Sequence, residues 1–412
     1  MDYTLWFILG GSSAIAFYMA WSIGANDVAN SMATAVGAKA ITFKQAVIIA
    51  GVLNFIGAIF VGPNVAETIK GKIVNVNSIS PDVLLLGFIA SLLAAAIWVT
   101  LSTWKEMPIS TTHSVIGALM GFGLVAGGVS SVNWAKVGSV AASWILSPVA
   151  GCLLAYLVFK VIVHLIFAKD DPVKSARVIG PIIIGVTAFL IVLSLLLNSP
   201  LSSRYGISDV EGLLLAGTIA AIVCLLGILL LRNIMAKSID DYGTVEGIFR
   251  KLQIITSCYV AFSHGANDVA NAIGPVAAII PLATNGEMNA AAQIPVSILA
   301  LGGVGIAVGC MTWGRKVMKT VGGRITALTN TRGFSVDFAA ATTVLLASKM
   351  GMPISTSHTV VGAVIGVGLA RGLEAVNLGI IKKIVVSWCL TLPIAALTSI
   401  GIFLLLYTII YV

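Results

Sequence analysis

Two copies of one heptad carry an ionisable side chain into sequence that is otherwise apolar. Gly24-Ala25-Asn26-Asp27-Val28-Ala29-Asn30 recurs 241 residues later as Gly265-Ala266-Asn267-Asp268-Val269-Ala270-Asn271. A carboxylate in hydrocarbon costs at least about 2.5 to 3.5 kcal/mol, so each Asp is expected to face a cavity and a partner. Its oxygens, the neighbouring amide oxygens, and carbonyls freed if the helix unwinds at Gly24 and Gly265 form a hard, oxygen-only shell for a small cation. Sodium fits that shell, and so does a proton carried on Asp27 or Asp268; the residues alone do not separate the two. The competing reading makes Gly24, Ala25, Ala29 and Ala33 a close-packing seam, with Asp27 paired to a lysine elsewhere.

A second string is also duplicated, at an offset of 245. Pro108-Ile109-Ser110-Thr111-Thr112-His113-Ser114 matches Pro353-Ile354-Ser355-Thr356-Ser357-His358-Thr359. Pro followed by hydroxyl residues starts a helix, and those hydroxyls join the free N–H groups of the first turn and the positive end of the helix dipole to favour an anion. Two such starts facing each other near mid-membrane suit a compact oxyanion such as phosphate or sulfate. Two carboxylates beside it would repel the anion unless cations intervene or the anion itself donates a hydrogen bond. Co-transport follows from that charge balance, and a protonated phosphate can donate to Asp where sulfate cannot. His113 and His358 are further donors, or structural hydrogen-bonding groups. Hydroxyls of this kind can instead bond back to their own helix or glue neighbours together. A hydrolase built on Ser110 or Ser355 is disfavoured, because identical copies do not give a nucleophile and a base distinct roles. The chain reads as a non-enzyme without resident cofactor.

These residues require a membrane scaffold. Of 412 residues, 58% are hydrophobic and 10% charged, far from soluble usage. Spans of about 20 apolar residues fall near 5–37, 43–62, 82–104, 109–127, 133–168, 178–198 and 211–232. A second set falls near 249–280, 294–315, 336–350, 354–371 and 377–411. The fold expected is an all-α polytopic membrane protein of about twelve transmembrane helices, broken or re-entrant at the motifs. Its divisions are a first repeat (1–168), a linking region (169–248) and a second repeat (249–412). Equivalent stretches lie seven apart, an odd number, so the second repeat is inverted relative to the first. With the N-terminus outside, inner segments hold eighteen Lys and Arg and outer ones five, as the positive-inside rule asks. The +8 net charge is thereby assigned to orientation, with no nucleic acid implied. Five dispersed cysteines read as small buried hydrophobes, and the N-terminal run as a retained span. Polar mid-span Asn54 is a candidate lining residue with no evident repeat partner, and His264 is matched by Ile23.

Paired Gly-Ala-Asn-Asp-Val-Ala-Asn strings, each followed by Pro-Ile-Ser-Thr-(Thr/Ser)-His, resemble the signature of the inorganic phosphate transporter (PiT) family over nearly the whole chain. The resemblance implies a cation-coupled phosphate symporter of the cell membrane. It implies that Asn26, Asp27, Asn267 and Asp268 help hold sodium, the only metal expected. It further implies that Ser110, Thr111, Thr112, Ser355, Thr356 and Ser357 contact phosphate, with Asn30, Asn271, His113 and His358 as added candidates. The family also holds proton- or metal-phosphate-coupled members and a sulfate-permease branch. Sodium–phosphate import by alternating access is the reading adopted, with phosphate, sodium ions and the bilayer as partners and a homodimer by analogy with rigid transporter scaffolds. The large central loop of some members is missing: residues 233–248 are short.

Overall fold

The computed structural model describes residues 3–60, 73–75, 79–198, 206–232, 241–285, 295–349 and 354–412. Each of the twelve apolar stretches contains a helix. In the first half these are α1 (Tyr3–Gly37), α2 (Phe43–Phe60), α3 (Pro81–Trp104), α4 (Thr111–Gly127) and α5 (Trp134–Ile162), the last extended by a π-turn, Val163–Phe167. Two linking helices follow, α6 (Pro172–Asn198) and α7 (Asp209–Leu231). The second half holds α8 (Asp241–Asn285), α9 (Val296–Thr312), the short α10 (Arg315–Lys319), α11 (Asn330–Lys349), α12 (Thr356–Leu369) and α13 (Leu378–Tyr411).

Local signals explain the boundaries. Ser80 and Pro81 open α3, and Ser208 with Glu211 forms a full capping box on α7. Asn133 and Asn377 cap α5 and α13 in the same way, each accepting a hydrogen bond from the backbone three residues on. Among the described residues eight helices are long and apolar enough to cross a membrane, or nine if α9 and the bent segment through Arg324, kinked by 55°, count as one span. The chain is therefore an all-helical, multi-pass membrane protein. α4 and α12, at 17 and 14 residues, are about 25 and 21 Å long, short of the roughly 30 Å hydrocarbon core.

One expectation needs correction. Helices α1 and α8 run without a break through both Asn-Asp strings, so Gly24 and Gly265 do not unwind them. These glycines serve close approach instead. A Cβ at Gly24 would lie 1.9 Å from Ile306 O on α9, and one at Gly265 2.2 Å from Asn54 O on α2. The packing is reciprocal: α1 seats on α9 as α8 seats on α2, and α4 on α13 as α12 on α5. Gly121 and Gly366 repeat the device there, their Cβ positions lying 2.3 and 2.1 Å from Ala396 O and Cys152 O. Two backbones separated only by hydrogens form a dry seam without large side chains, the usual solution where lipid offers no hydrophobic drive. The linking pair α6 and α7 pack chiefly on each other and turn residues such as Ile182, Leu214, Leu226 and Leu230 outward.

Candidate functional site

Helices α1 and α8 cross so that their Asn-Asp strings meet, and the starts of α4 and α12 close over them. Asp27 and Asp268 are 1% and 4% exposed. His264, one turn before Asp268, lies between them: Nε2 is 2.7 Å from Asp268 Oδ2 and 3.7 Å from Asp27 Oδ2. The three ligand atoms all fall within 4.8 Å of one another. Asn54 gives its amide N–H to Ala50 O and turns Oδ1 to His264 Nδ1 at 2.6 Å, fixing the ring.

The hydroxyl segments are bonded crosswise to the strings. Asn30 on α1 donates to Ser357 Oγ on α12 at 2.8 Å, while Asn271 on α8 donates to Thr112 Oγ1 on α4 at 3.1 Å. These two bonds are each other's repeat counterparts, and each joins one half of the chain to the other. Asp27 accepts from Thr111 Oγ1 at 2.8 Å and from Ser357 Oγ at 3.3 Å. Asp268 accepts from Asn271 at 3.1 Å. Asn26 holds the approach to α4, donating to Met107 O and accepting from Ile109 N–H. Ser110 and Ser355 cap their helices by accepting from His113 N–H and His358 N–H, which leaves both serine O–H groups free to donate. Thr112, Thr356 and Asn267 are half-buried. The residues around Met352 and Pro353 that would flank Asn267 lie outside the described residues.

His113 and His358 turn away from the carboxylates. Their rings meet edge to face with centroids 5.0 Å apart, and His358 stacks on Trp388 at 3.9 Å. Trp388 Nε1 donates to Pro108 O, so α13 steadies the entry to α4. The two histidines thus sit at the contact between the motif helices, packed ring on ring, with His113 Nδ1 and both His358 ring nitrogens buried and without the hydrogen bonds of a structural role.

Three residues carry weight that sequence reasoning did not give them. Asn54 and His264 form a polar pair where the opposite half has Ile306 and Ile23, matched through the reciprocal glycine contacts at Gly24 and Gly265. Two related positions therefore have different chemistry. The third is Asp337 on α11, 1% exposed, which accepts from Thr34 at 2.8 Å, Ser257 at 2.6 Å and Thr256 at 3.4 Å. The signal was present, since a carboxylate inside the apolar stretch 336–350 is itself a mark of function.

The arrangement offers ligand chemistry for charge of both signs. Carboxylates, amide oxygens and the His264 ring are of the chemistry that suits cations, while hydroxyls and free helix-start N–H groups are of the chemistry that suits an anion. Comparison with known proteins shows the family. Residues 23–399 match the profile of the phosphate transporter family. A putative phosphate permease of Thermococcus kodakarensis is 52% identical over 95% of this chain and 96% of its own. The chloroplastic inorganic phosphate transporter 2-1 of Arabidopsis thaliana is 41% identical, over 92% of this chain and 69% of its own. A solved structure described as the sodium-dependent phosphate transporter is 46% identical and superposes with a TM-score of 0.89, covering 98% of this chain and 100% of that one. The chain belongs to the phosphate transporter family, a family of transporters and not of enzymes.

Proposed function

We propose, from membership of that family, that this chain is a sodium-coupled importer of inorganic phosphate in the cell membrane, working by alternating access. The observation that carries the reading is the crosswise pair Asn30–Ser357 and Asn271–Thr112. Each cation-type string is bonded to the anion-type helix start of the opposite half, so neither kind of cargo can bind without touching the other's ligands. Asn26, Asp27, Asn267 and Asp268 are assigned to sodium. Ser110, Thr111, Thr112, Ser355, Thr356 and Ser357 are assigned to phosphate, with Asn30 and Asn271 joining the two sets. No resident cofactor is needed, since sodium is cargo.

The topology proposed is twelve crossings in two inverted repeats, 1–168 and 249–412, joined by 169–248. Contacts between loops among the described residues support it, because those below join segments assigned to the same side. Arg324 pairs with Glu106, Arg250 donates to Ala40 O, and Asn377 N–H donates to Ile325 O, all among inner segments. Val74 bridges to Val132 between outer ones. α4 then crosses as a broken span: the non-helical segment 105–110 runs inward from the Glu106 side to the site, and the helix continues to the outer face. A homodimer is carried by analogy alone and is checked by the mass of the detergent-solubilised particle.

The deciding experiment uses purified chain in proteoliposomes. Labelled phosphate uptake is followed with external sodium, then with choline in its place at fixed pH. Uptake that depends on sodium and runs uphill with an inward sodium gradient is expected, and unchanged uptake in choline defeats the claim. A second reading, metal–phosphate symport, is favoured by one feature: the His264 nitrogen among the carboxylates, a better ligand for a transition metal than for sodium. Uptake in choline restored by micromolar manganese or zinc selects it.

A further inference from the structure

The inner mouth carries a feature that the transport site does not use. Arg332, in the first turn of α11, and Arg371, just past the C-terminal end of α12, meet at the end of that helix opposite its hydroxyl segment. Both donate through Nη1 to one carbonyl, Ala327 O, at 3.1 and 3.5 Å, and Arg371 also reaches Thr326 Oγ1 at 3.4 Å. Among the described residues no carboxylate lies within 4.0 Å of either guanidinium. Glu246 acts on Arg332 electrostatically but directs its Oε2 to Thr331 N–H at 3.0 Å. Arg332 Nε is buried without a partner, and the Phe159 ring covers its guanidinium at 5.9 Å. Thr331 Oγ1, next in sequence and 1% exposed, also lacks a partner.

Two cations that converge on one neutral oxygen repel each other. A pair of residues acting only as interfacial anchors has no reason to converge, because each head group would move outward to water. Each guanidinium presents a planar fork of five donors, and a single shared carbonyl leaves most of them unused. A group with three or more anionic oxygens removes the repulsion and fills both forks at once, the geometry in which Arg–phosphate pairs are strongest.

We propose that Arg332 and Arg371 form an inner-side binding site for a phosphate group, separate from the site at Asp27 and Asp268. Two sources share that chemistry: free inorganic phosphate on the cytoplasmic side, and the head group of an anionic phospholipid. The inference does not depend on how the main site is coupled. Its test is accordingly one of binding, and transport is measured separately.

Purified full-length chain in sodium-free choline buffer is titrated with labelled inorganic phosphate. In parallel, nanodiscs containing phosphatidylglycerol are examined by native mass spectrometry for retained lipid. Arg371→Gln, at an exposed position where folding is safe, and Arg332→Gln should each weaken the bound phosphate species about ten-fold or more. Arg332→Lys, which keeps the charge without the fork, should fall between. Asp27→Asn should leave this binding intact while abolishing sodium-driven uptake, so the two sites fail independently. Loss of free phosphate in the arginine variants identifies phosphate as the source, and loss of one lipid adduct identifies the head group. An Arg332→Gln/Arg371→Gln double variant that keeps wild-type phosphate affinity and the wild-type lipid adduct overturns the proposal. So does a wild-type chain that binds neither.

Discussion

Gly265→Ala is the most informative single perturbation, because its effect can be worked out from distances. The added Cβ would lie 2.2 Å from Asn54 O and 2.4 Å from Asn54 Cα, both backbone atoms that cannot rotate aside. Ordinary contact begins at 3.4 Å, so α8 and α2 must part by about 1.2 Å to accept one methyl group. Overpacking of a tight interface costs about 1 to 3 kcal/mol, and a clash with rigid backbone belongs at the upper end. The same displacement stretches the 2.6 Å bond between Asn54 Oδ1 and His264 Nδ1 beyond hydrogen-bonding range, releasing the ring that lies between the two carboxylates. A misplacement of roughly 1 Å at a positioned site costs about a hundred-fold in rate. Initial phosphate uptake in proteoliposomes should fall by that order, with a lower melting temperature in detergent. Gly247→Ala on the same helix is the control: nothing lies within 4 Å of its Cβ, and exchanging a helical glycine for alanine should gain about 0.5 to 1 kcal/mol. A Gly265→Ala protein with wild-type uptake and melting would refute the close-approach argument.

Other expectations follow the same bonds. Asn30→Ala deletes the crosswise bond to Ser357, and Asn271→Ala deletes those to Thr111 and Thr112 together with the bond to Asp268, so both should raise the phosphate KM, about five- to ten-fold for Asn30→Ala and more for Asn271→Ala; an unchanged KM in either would break the crosswise assignment. Asp27→Asn should remove sodium-driven uptake while binding of a conformational antibody and melting stay near wild type, and normal uptake would end the assignment of Asp27 to the cation. Asp337→Ala strands the Thr34 and Ser257 hydroxyls, while Thr256 keeps Gln253 O at 3.0 Å, and should cost about 2 to 4 kcal/mol of stability, read by thermal melting. Trp388→Phe removes one bond to Pro108 O and should cost about 1 kcal/mol with a small loss of uptake rate.

The sequence made much of this legible because duplication doubles every signal. An Asp in an apolar run is one anomaly; the same Asp twice, each copy followed by the same hydroxyl segment, defines two half-sites before any coordinate is known. Helix starts carry local signals at Asn133 and Ser208, whose side chains accept from the backbone three residues on, but spans drawn from hydropathy alone do not use them. Gly24 and Gly265 were misread because a glycine beside an ion ligand has two uses, unwinding and close approach, and only the neighbouring helix decides between them. The pairing of Asn54 with His264 escaped for a related reason. Their partnership joins α2 to α8, 210 residues apart, and their counterparts Ile306 and Ile23 are apolar, so comparing the copies hid the pair. Asp337 was lost among the residues of a stretch judged by its average hydropathy.

The glycine seams divide the molecule by how it can give way. Along α1–α9 and α2–α8, carbonyl oxygens lie where side chains would otherwise stand, and water has no foothold there. Between the strings and the starts of α4 and α12 the joints are amide-to-hydroxyl bonds, which water can replace one for one. A passage that wets the cargo first from one face and then from the other must therefore open along the second kind of joint. The glycine-packed helices would travel as two slabs, α1, α2, α8 and α9 on one side of that joint and α4, α5, α12 and α13 on the other.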